Sequence, residues 1–256
     1  MKVAICYNLE KTEAQSVVQA LQSVLAQSGI EFYSVERAIE PATDLLCVVG
    51  GDGTLFTYAH FALAHDLPIW FINAGSVGFL AESHEGLAER AARLARGEYM
   101  LERRAMLEVT VGEKRYVALN DVCLMRDTRH LQTISLEVAT GAETVTHYRG
   151  DGALVCTAMG STGYALSAGA PILAPSARGM LFTPICAHSL LAKSVVFGPE
   201  DVVYLRSEQS AVLFVDGVSR GVVDGKDVVV AQSAEEVRFV RTERQSFFAK
   251  IGSKLL

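Results

Sequence analysis

The amino-acid sequence predicts an α/β N-terminal domain built on a parallel sheet, followed by an all-β, sandwich-like C-terminal domain, with a ligand cleft between them. Up to residue 99, short apolar runs alternate with helical patterns; beyond about Gly97 the rhythm becomes one of short strands separated by polar or glycine turns. The absence of repeats, low-complexity stretches and flexible linkers further predicts that the halves pack closely. The expected domains are 1–99 and 100–239, with a tail of about 240–256 packing back on the first.

In the first half, Val3–Tyr7 reads as a buried strand. Lys11–Ser28 places Ala14, Val17, Val18, Leu21, Val24 and Leu25 on one helical face and stops at Gly29, which accepts the left-handed backbone of a helix end. Leu45–Val49 is another apolar strand, followed by a helix over Thr54–His65. Pro68–Asn73 and His84–Arg96 repeat the strand–helix pattern. In the second half Leu107–Val111, Arg115–Met125, Thr133–Ala139, Ala153–Thr157, Val202–Arg206, Ala211–Val215 and Asp227–Ala231 are β-rich. Thr140–Gly141 and Asp224–Gly225 read as hairpin connections.

Half of the 256 residues are hydrophobic and a fifth are charged, enough for a proper core. The net charge of -6 argues against a protein that grips nucleic acid by broad phosphate neutralisation, though a local pocket can still hold a small anion. The stretch MKVAICYNLEKTEAQ is too short in its apolar part for a signal peptide or a membrane span, so no membrane partner is expected. Four of the five cysteines (Cys6, Cys47, Cys123, Cys156, Cys186) lie in apolar runs and none forms a CxxC pair. Buried thiols and a reducing, cytoplasmic setting are therefore expected.

The strongest chemical signal is Gly50-Gly51-Asp52-Gly53-Thr54, between an apolar strand and a helix. Glycines let the backbone approach a ligand, and their N–H groups, backed by a helix N-terminus, receive phosphate oxygens. A carboxylate among phosphates is repelled unless it meets a hydroxyl or a magnesium ion. The bland alternative is a tight turn with a solvated aspartate. The loop is neither a Walker loop nor a dinucleotide fingerprint.

A second constellation runs from Arg149 to Gly169, with glycines too frequent for a regular strand or helix. Its hydroxyl residues suit a ribose or amide, and Tyr164 can stack on a base or simply pack in a core. A third element, Asn120-Asp121, interrupts the apolar run Val117–Met125 with groups that suit an adenine edge and ribose hydroxyls; such a break is also what a solvated edge looks like. Strand alternation would turn the two side chains to opposite faces.

Together these stretches resemble the NAD kinase family. Gly50–Thr54 matches its GGDGT motif; Asn120-Asp121 resembles its Asn-Glu/Asp pair; and Thr157–Tyr164, followed by Ser167-Ala168-Gly169, resembles its TPTGSTAY stretch. Asn73–Leu80, Leu181–Ser189 and Lys254-Leu255 fit too, so the likeness covers nearly the whole chain in order. The departures are Ala158 and Met159 for Pro-Thr, Gly163 for Ala, and Ala170 for Gly. The resemblance implies transfer of a phosphoryl group from ATP, another triphosphate or polyphosphate, with Mg²⁺ or another divalent metal, to the adenosine ribose 2′-hydroxyl of NAD. It implies that Asp52 takes the hydroxyl proton, late in the reaction because a free aspartate is a weak base. Gly50, Gly51, Gly53 and Thr54 would bind phosphates. Asp52, Gly53, Asn120, Asp121, Met159, Thr162, Gly163, Tyr164, Ala165, Leu166 and Ser167 would hold NAD. Arg149, Asp151 and Cys186 would approach its nicotinamide half from a neighbouring subunit of a homodimer or homotetramer.

Rival readings are weaker. A diacylglycerol- or sphingosine-type lipid kinase calls for an apolar entrance or membrane-facing helix, and a non-catalytic NAD sensor has no need of Asp52. A serine hydrolase around Ser161 lacks a GxSxG elbow. The six histidines occur without HExxH or Cys/His zinc spacing.

Overall fold

The computed structural model describes residues 1–35, 38–75, 78–127, 129, 132–141, 143–244 and 246–255. The chain divides into two compact units, Met1–Arg104 with Val237–Leu256, and Ala105–Glu236.

The first unit opens with β1 (Lys2–Tyr7), α1 (Thr12–Gln27), β2 (Glu31–Ser34), β3 (Leu45–Gly50), α2 (Asp52–Ala64), β4 (Ile69–Asn73) and α3 (Leu87–Ala95). The strands pair in parallel in the order β2-β1-β3-β4. Alternation sends Val3, Ile5, Leu45, Cys47, Val49, Trp70 and Ile72 to one face, where Val17, Val18, Leu21 and Leu25 of α1 and Leu87, Ala91 and Leu94 of α3 cover them. Helix α2 packs on β3 and β4. Two helix starts differ from expectation by two residues or more. Helix α2 begins two residues early, which puts Asp52 in its first turn, and α3 begins at Leu87 because Gly86 takes a left-handed conformation (φ +70°).

The chain then enters β5 (Met100–Val111), β6 (Lys114–Ala118), β7 (Asp121–Arg126), β8 (Ile134–Thr140), β9 (Glu143–Gly150) and β10 (Gly152–Cys156). After a 3₁₀ turn (Gly160–Thr162) come α4 (Tyr164–Ser167), β11 (Met180–Ile185), β12 (Val195–Phe197), β13 (Val202–Ser207), β14 (Ala211–Val215), β15 (Val218–Val223), β16 (Val228–Arg241) and α5 (Phe247–Leu255). Within the second unit β12-β11-β10-β7-β14-β15 form one antiparallel sheet. The strands β13, β8 and β9, with the start of β16, belong to another, and β5 pairs with β6. Leu124, Val155, Phe182 and Leu213 of the first meet Leu136, Val138, Val203, Leu205 and Val230 of the second in one core, as in a β-sandwich.

Three expectations are corrected here. The run Arg115–Met125 is not one strand: it breaks at Leu119-Asn120, so Asn120 lies outside β6 and β7 and strand alternation does not govern it. Asp224-Gly225 is not a hairpin, because β15 pairs with β14 while β16 pairs with β13, so the turn moves the chain from one sheet to the other. Gly150 and Gly152 end and begin strands, where an added Cβ would press on the Ile185 carbonyl oxygen at 2.8 Å and the Leu124 carbonyl oxygen at 2.7 Å. Close strand packing therefore requires them. The strands β2, β9, β11, β12 and β15 and the helix α5 carried no expectation from periodicity.

The C-terminal segment returns to the first unit, where β16 runs parallel to β4 at Phe239 and Ile69. Glu82, wholly buried, accepts hydrogen bonds from Trp70 Nε1 (2.9 Å), Thr242 N (2.9 Å) and Thr242 Oγ1 (2.9 Å). A carboxylate taken out of water survives only with such partners. Lys250 Nζ donates to the carbonyls of Phe79 (3.1 Å) and Ala81 (3.2 Å).

Candidate functional site

In the first unit the chain leaves β3 at Gly50 and enters α2 without a side-chain cap. Thr54 N and Leu55 N both bond back to the Gly51 carbonyl, at 2.9 and 3.1 Å, which closes the first turn. A Cβ on Gly50 would lie 2.6 Å from Thr54 Oγ1, so the loop closes this tightly only with glycine there. Gly51, Asp52 and Gly53 are exposed, and a Cβ on either glycine would meet nothing within 4 Å. Their backbone thus faces open space at a helix N-terminus, the arrangement that receives phosphate oxygens. The Asp52 carboxylate lies over Gly78, whose Cβ would come within 3.2 Å of Oδ1. The structure therefore joins the GGDGT loop to the Asn73–Leu80 segment, of which Ser76 and Val77 lie outside the described residues.

Beside this loop is a pocket of about 450 Å³ that periodicity did not mark. Gly53, Thr54, Thr57 and Tyr58 form one wall, and Tyr7–Lys11, following β1, forms the other. Asn8 Oδ1 accepts the Glu10 N–H at 2.9 Å and shapes that turn. Lys11, at the start of α1, forms no ion pair among the described residues.

In the second unit the break at Asn120 has a clear cause. The Asp216 carboxylate accepts the N–H groups of Leu119 (2.7 Å), Asn120 (2.7 Å) and Asp121 (3.2 Å). Asp216 and Gly217 both have positive φ, +47° and +75°, and form the β14–β15 hairpin turn. That Asp-Gly pair between apolar strands was a legible hairpin signal that the sequence reading missed.

Asn120 is also gripped from the glycine-rich stretch. Thr157 N donates to the Asn120 carbonyl (2.9 Å), and Thr157 Oγ1 donates to Leu119 O (2.9 Å) while accepting Gly160 N (3.1 Å). A Cβ on Gly160 would collide with the Asn120 carbonyl oxygen. Gly163, where the resemblance leads one to expect alanine, leaves room for the Asn120 amide: an added Cβ would come within 3.3 Å of Nδ2. Asn120 Oδ1 is buried without a hydrogen-bond partner among the described residues.

Asp121 is buried, with the Cys123 thiol 3.8 Å from Oδ1. Burial, and then the Asp216 charge, push its pKa up to about 6. Tyr164, at the start of α4, is 44% exposed. Its pKa is raised by partial burial and by the charges of Cys123, Cys186, Asp151 and Asp121. Ser167 is exposed and Leu166 half-buried, whereas Met159 and Ala165 are buried. Thr162 Oγ1 donates to the Met159 carbonyl at 3.1 Å. Ser161 Oγ is fully committed, donating to Ala158 O and accepting Leu173 N, which removes it as a nucleophile.

Arg149 and Asp151 run beside Cys186 and His188: Asp151 N donates to Ile185 O and His188 N to Arg149 O. Cys186 is exposed and left-handed (φ +46°), while the other four cysteines are buried. Asp151 has a partner in its own chain, Arg126 Nε at 2.8 Å, and Arg149 reaches the Thr133 carbonyl at 3.2 Å. The charge of Asp151 is therefore balanced by Arg126 of its own chain. The side chains of Lys254 and Leu255 lie outside the described residues.

A parallel α/β unit whose glycine loop offers a helix N-terminus and a carboxylate, joined in sequence to a β-sandwich unit carrying a polar cluster, defines a phosphotransferase. Comparison with known proteins specifies it further. Residues 6–99 match the ATP-NAD kinase N-terminal domain, and residues 119–242 the ATP-NAD kinase C-terminal domain. An NAD kinase of Lachnoclostridium phytofermentans is 32% identical, covering 99% of this chain and 98% of that protein. One from Methanothermobacter thermautotrophicus is 30% identical over 100% of this chain and 96% of its own. Among solved structures, an NAD kinase from Archaeoglobus fulgidus in complex with ATP superimposes with a TM-score of 0.80 at 25% identity, covering 100% of this chain and 98% of that one. Yeast NADH kinase complexed with NADH shares the fold (TM-score 0.86, 20% identity, 100% and 87% covered). The chain belongs to the NAD kinase family.

Proposed function

We propose that this chain transfers the terminal phosphoryl group of a nucleoside triphosphate or polyphosphate to the 2′-hydroxyl of the adenosine ribose of NAD, giving NADP. The observation that carries the reading is the exposed Asp52 carboxylate in the first turn of α2, among backbone groups that suit phosphate. Asp52 orients the ribose hydroxyl and accepts its proton as the bond to phosphorus forms. The N–H groups of Gly51 and Gly53 and the positive end of α2 hold phosphate oxygens, and the pocket with Lys11, Asn8 and Thr57 takes the donor's phosphate tail.

The residues fit a magnesium ion of the kind that substrate phosphates and water largely coordinate. Among the described residues no group of three His, Cys, Asp or Glu side chains gathers, and Asp52 is the carboxylate the loop supplies. When bound, the ion neutralises charge on the transferring phosphate. Asn120, Asp121, Thr162, Gly163, Tyr164 and Ser167 bind adenosine, with Tyr164 offering an exposed ring for stacking. Arg149, Asp151 and Cys186 act on the nicotinamide half of NAD in a neighbouring subunit of a homodimer or homotetramer. Buried, unpaired thiols support a cytoplasmic setting.

The test is a coupled assay for NADP formed from NAD, ATP and Mg²⁺, run on the wild type and on Asp52→Asn. The variant should bind NAD normally and lose about 10²–10⁴-fold in kcat; near-normal turnover would remove Asp52 from the chemistry.

A further inference from the structure

The second unit holds a pocket of about 520 Å³ that shares no residue with the site above. It opens between the β5–β6 turn and β15, with Val111, Leu213, Val222 and Val223 as its apolar wall. Three cations line it: Lys114, Arg220 and Lys226. Among the described residues none of the three forms an ion pair, although other cations of this unit do, Arg206 with Asp227 and Arg115 with Glu108. Two acidic residues, Glu113 and Asp224, also line it, and Asp224 accepts a hydrogen bond from Ser210 Oγ at 3.1 Å.

Arg220 is the organised member of the set. Its guanidinium lies over the Tyr116 ring, 5.3 Å from the centroid, which fixes the plane of the fork. Its Nε is buried without a hydrogen-bond partner, and an unpaired guanidinium nitrogen is costly to keep from water. Lys226 stretches over the β5–β6 turn, its Nζ 3.8 Å from where a Cβ of Gly112 would stand. Three cations against two carboxylates leave the pocket net positive on a chain whose net charge is -6, so it attracts an anion. A planar fork flanked by two ammonium groups matches a phosphate, and the apolar wall matches an organic body attached to it. The volume falls within the range of about 300–1,000 Å³ usual for small-ligand sites.

We propose that this pocket of the β-sandwich unit binds a small phosphate monoester, its phosphate held by Arg220, Lys114 and Lys226 and its organic part against the apolar wall. The probe is phenyl phosphate, titrated by calorimetry into the wild type, Arg220→Gln, Lys226→Gln and Asn120→Ala, with each variant's melting temperature confirming a folded chain. Lys226 is exposed, so its variant keeps the test valid even if Arg220→Gln folds poorly. The expected result is binding to the wild type, weakened at least about tenfold in both cation variants through loss of a charge-assisted contact, and unchanged in Asn120→Ala. Inorganic phosphate should bind more weakly than the phenyl ester. A soak with 4-bromophenyl phosphate should place the bromine anomalous signal against the apolar wall. The proposal is overturned by no binding at millimolar phenyl phosphate, by equal affinity in Arg220→Gln and Lys226→Gln, or by a loss confined to Asn120→Ala.

Discussion

Asp216 is the residue whose removal tests most directly how the β-sandwich unit shapes its polar cluster. Its carboxylate accepts three backbone N–H groups, of Leu119, Asn120 and Asp121, from a turn 95 to 97 residues away. Asp216→Ala leaves those donors without their acceptor. A hydrogen bond to a charged group is worth about 1.5–3 kcal/mol net, and the partial exposure of this turn argues for the lower end. Removing Asp216 also relieves its repulsion of Asp121, which offsets part of the loss. Alanine at φ +47° adds about 1 kcal/mol of strain. The balance is a destabilisation of about 3–5 kcal/mol, a large share of a typical 5–15 kcal/mol. Asp216→Asn keeps an acceptor that tolerates the left-handed backbone, so it should lose about half as much. Urea unfolding followed by circular dichroism measures the first quantity, and KM for NAD reports the second, which should rise as Asn120 loses its anchor. If Asp216→Ala unfolds within about 0.5 kcal/mol of the wild type and keeps its KM, the carboxylate does not hold the loop.

Three further predictions concern the cluster itself. Asp121 has a folded pKa raised to about 6, so its contribution to stability is fully present below about pH 4 and is lost as pH rises through about 6. Relative to Asp121→Asn, the wild type should therefore lose about 3 kcal/mol of unfolding free energy across that window; a gap that stays constant with pH would mean that the carboxyl is not held in its neutral form. Tyr164→Ala and Asn120→Ala should each raise the dissociation constant for NAD more than they lower saturated turnover, because both are proposed as ground-state contacts. A defect confined to kcat would place them at the reacting phosphate instead. Mixing Asp52→Asn with Asp151→Ala under subunit exchange should restore about half the sites of each mixed dimer if Asp151 acts in the neighbouring subunit. Arg126→Ala is the control, since Arg126 is the partner of Asp151 within its own chain, and zero rescue despite proven exchange places Asp151 in its own subunit's site.

Much of this protein follows from local pattern alone. The strand–helix alternation of the first unit and the helix face running from Ala14 to Leu25 are consequences of burying one side of each element, so their periods in sequence reproduce the core. The Gly50–Thr54 loop was equally legible, because the need for a glycine backbone and a lone carboxylate at a helix start is local chemistry. Elements without a clean period escaped. β9 reads ETVTHYRG, with mixed burial along its length, and β15 exposes most of its residues. Tertiary structure alone decided the break in the run Arg115–Met125, because the carboxylate that causes it comes from Asp216 at the tip of a distant hairpin. It decided why Gly152 and Gly160 must be glycine, since what fills their Cβ space belongs to strands and carbonyls far along the chain. It also decided the charge of Asp151, which a sequence shows as a lone acid in a glycine turn and the fold pairs with Arg126 at 2.8 Å. Periodicity records which side of an element is buried; it holds no information about which remote group will arrive there to accept a proton, fill a space or cancel a charge.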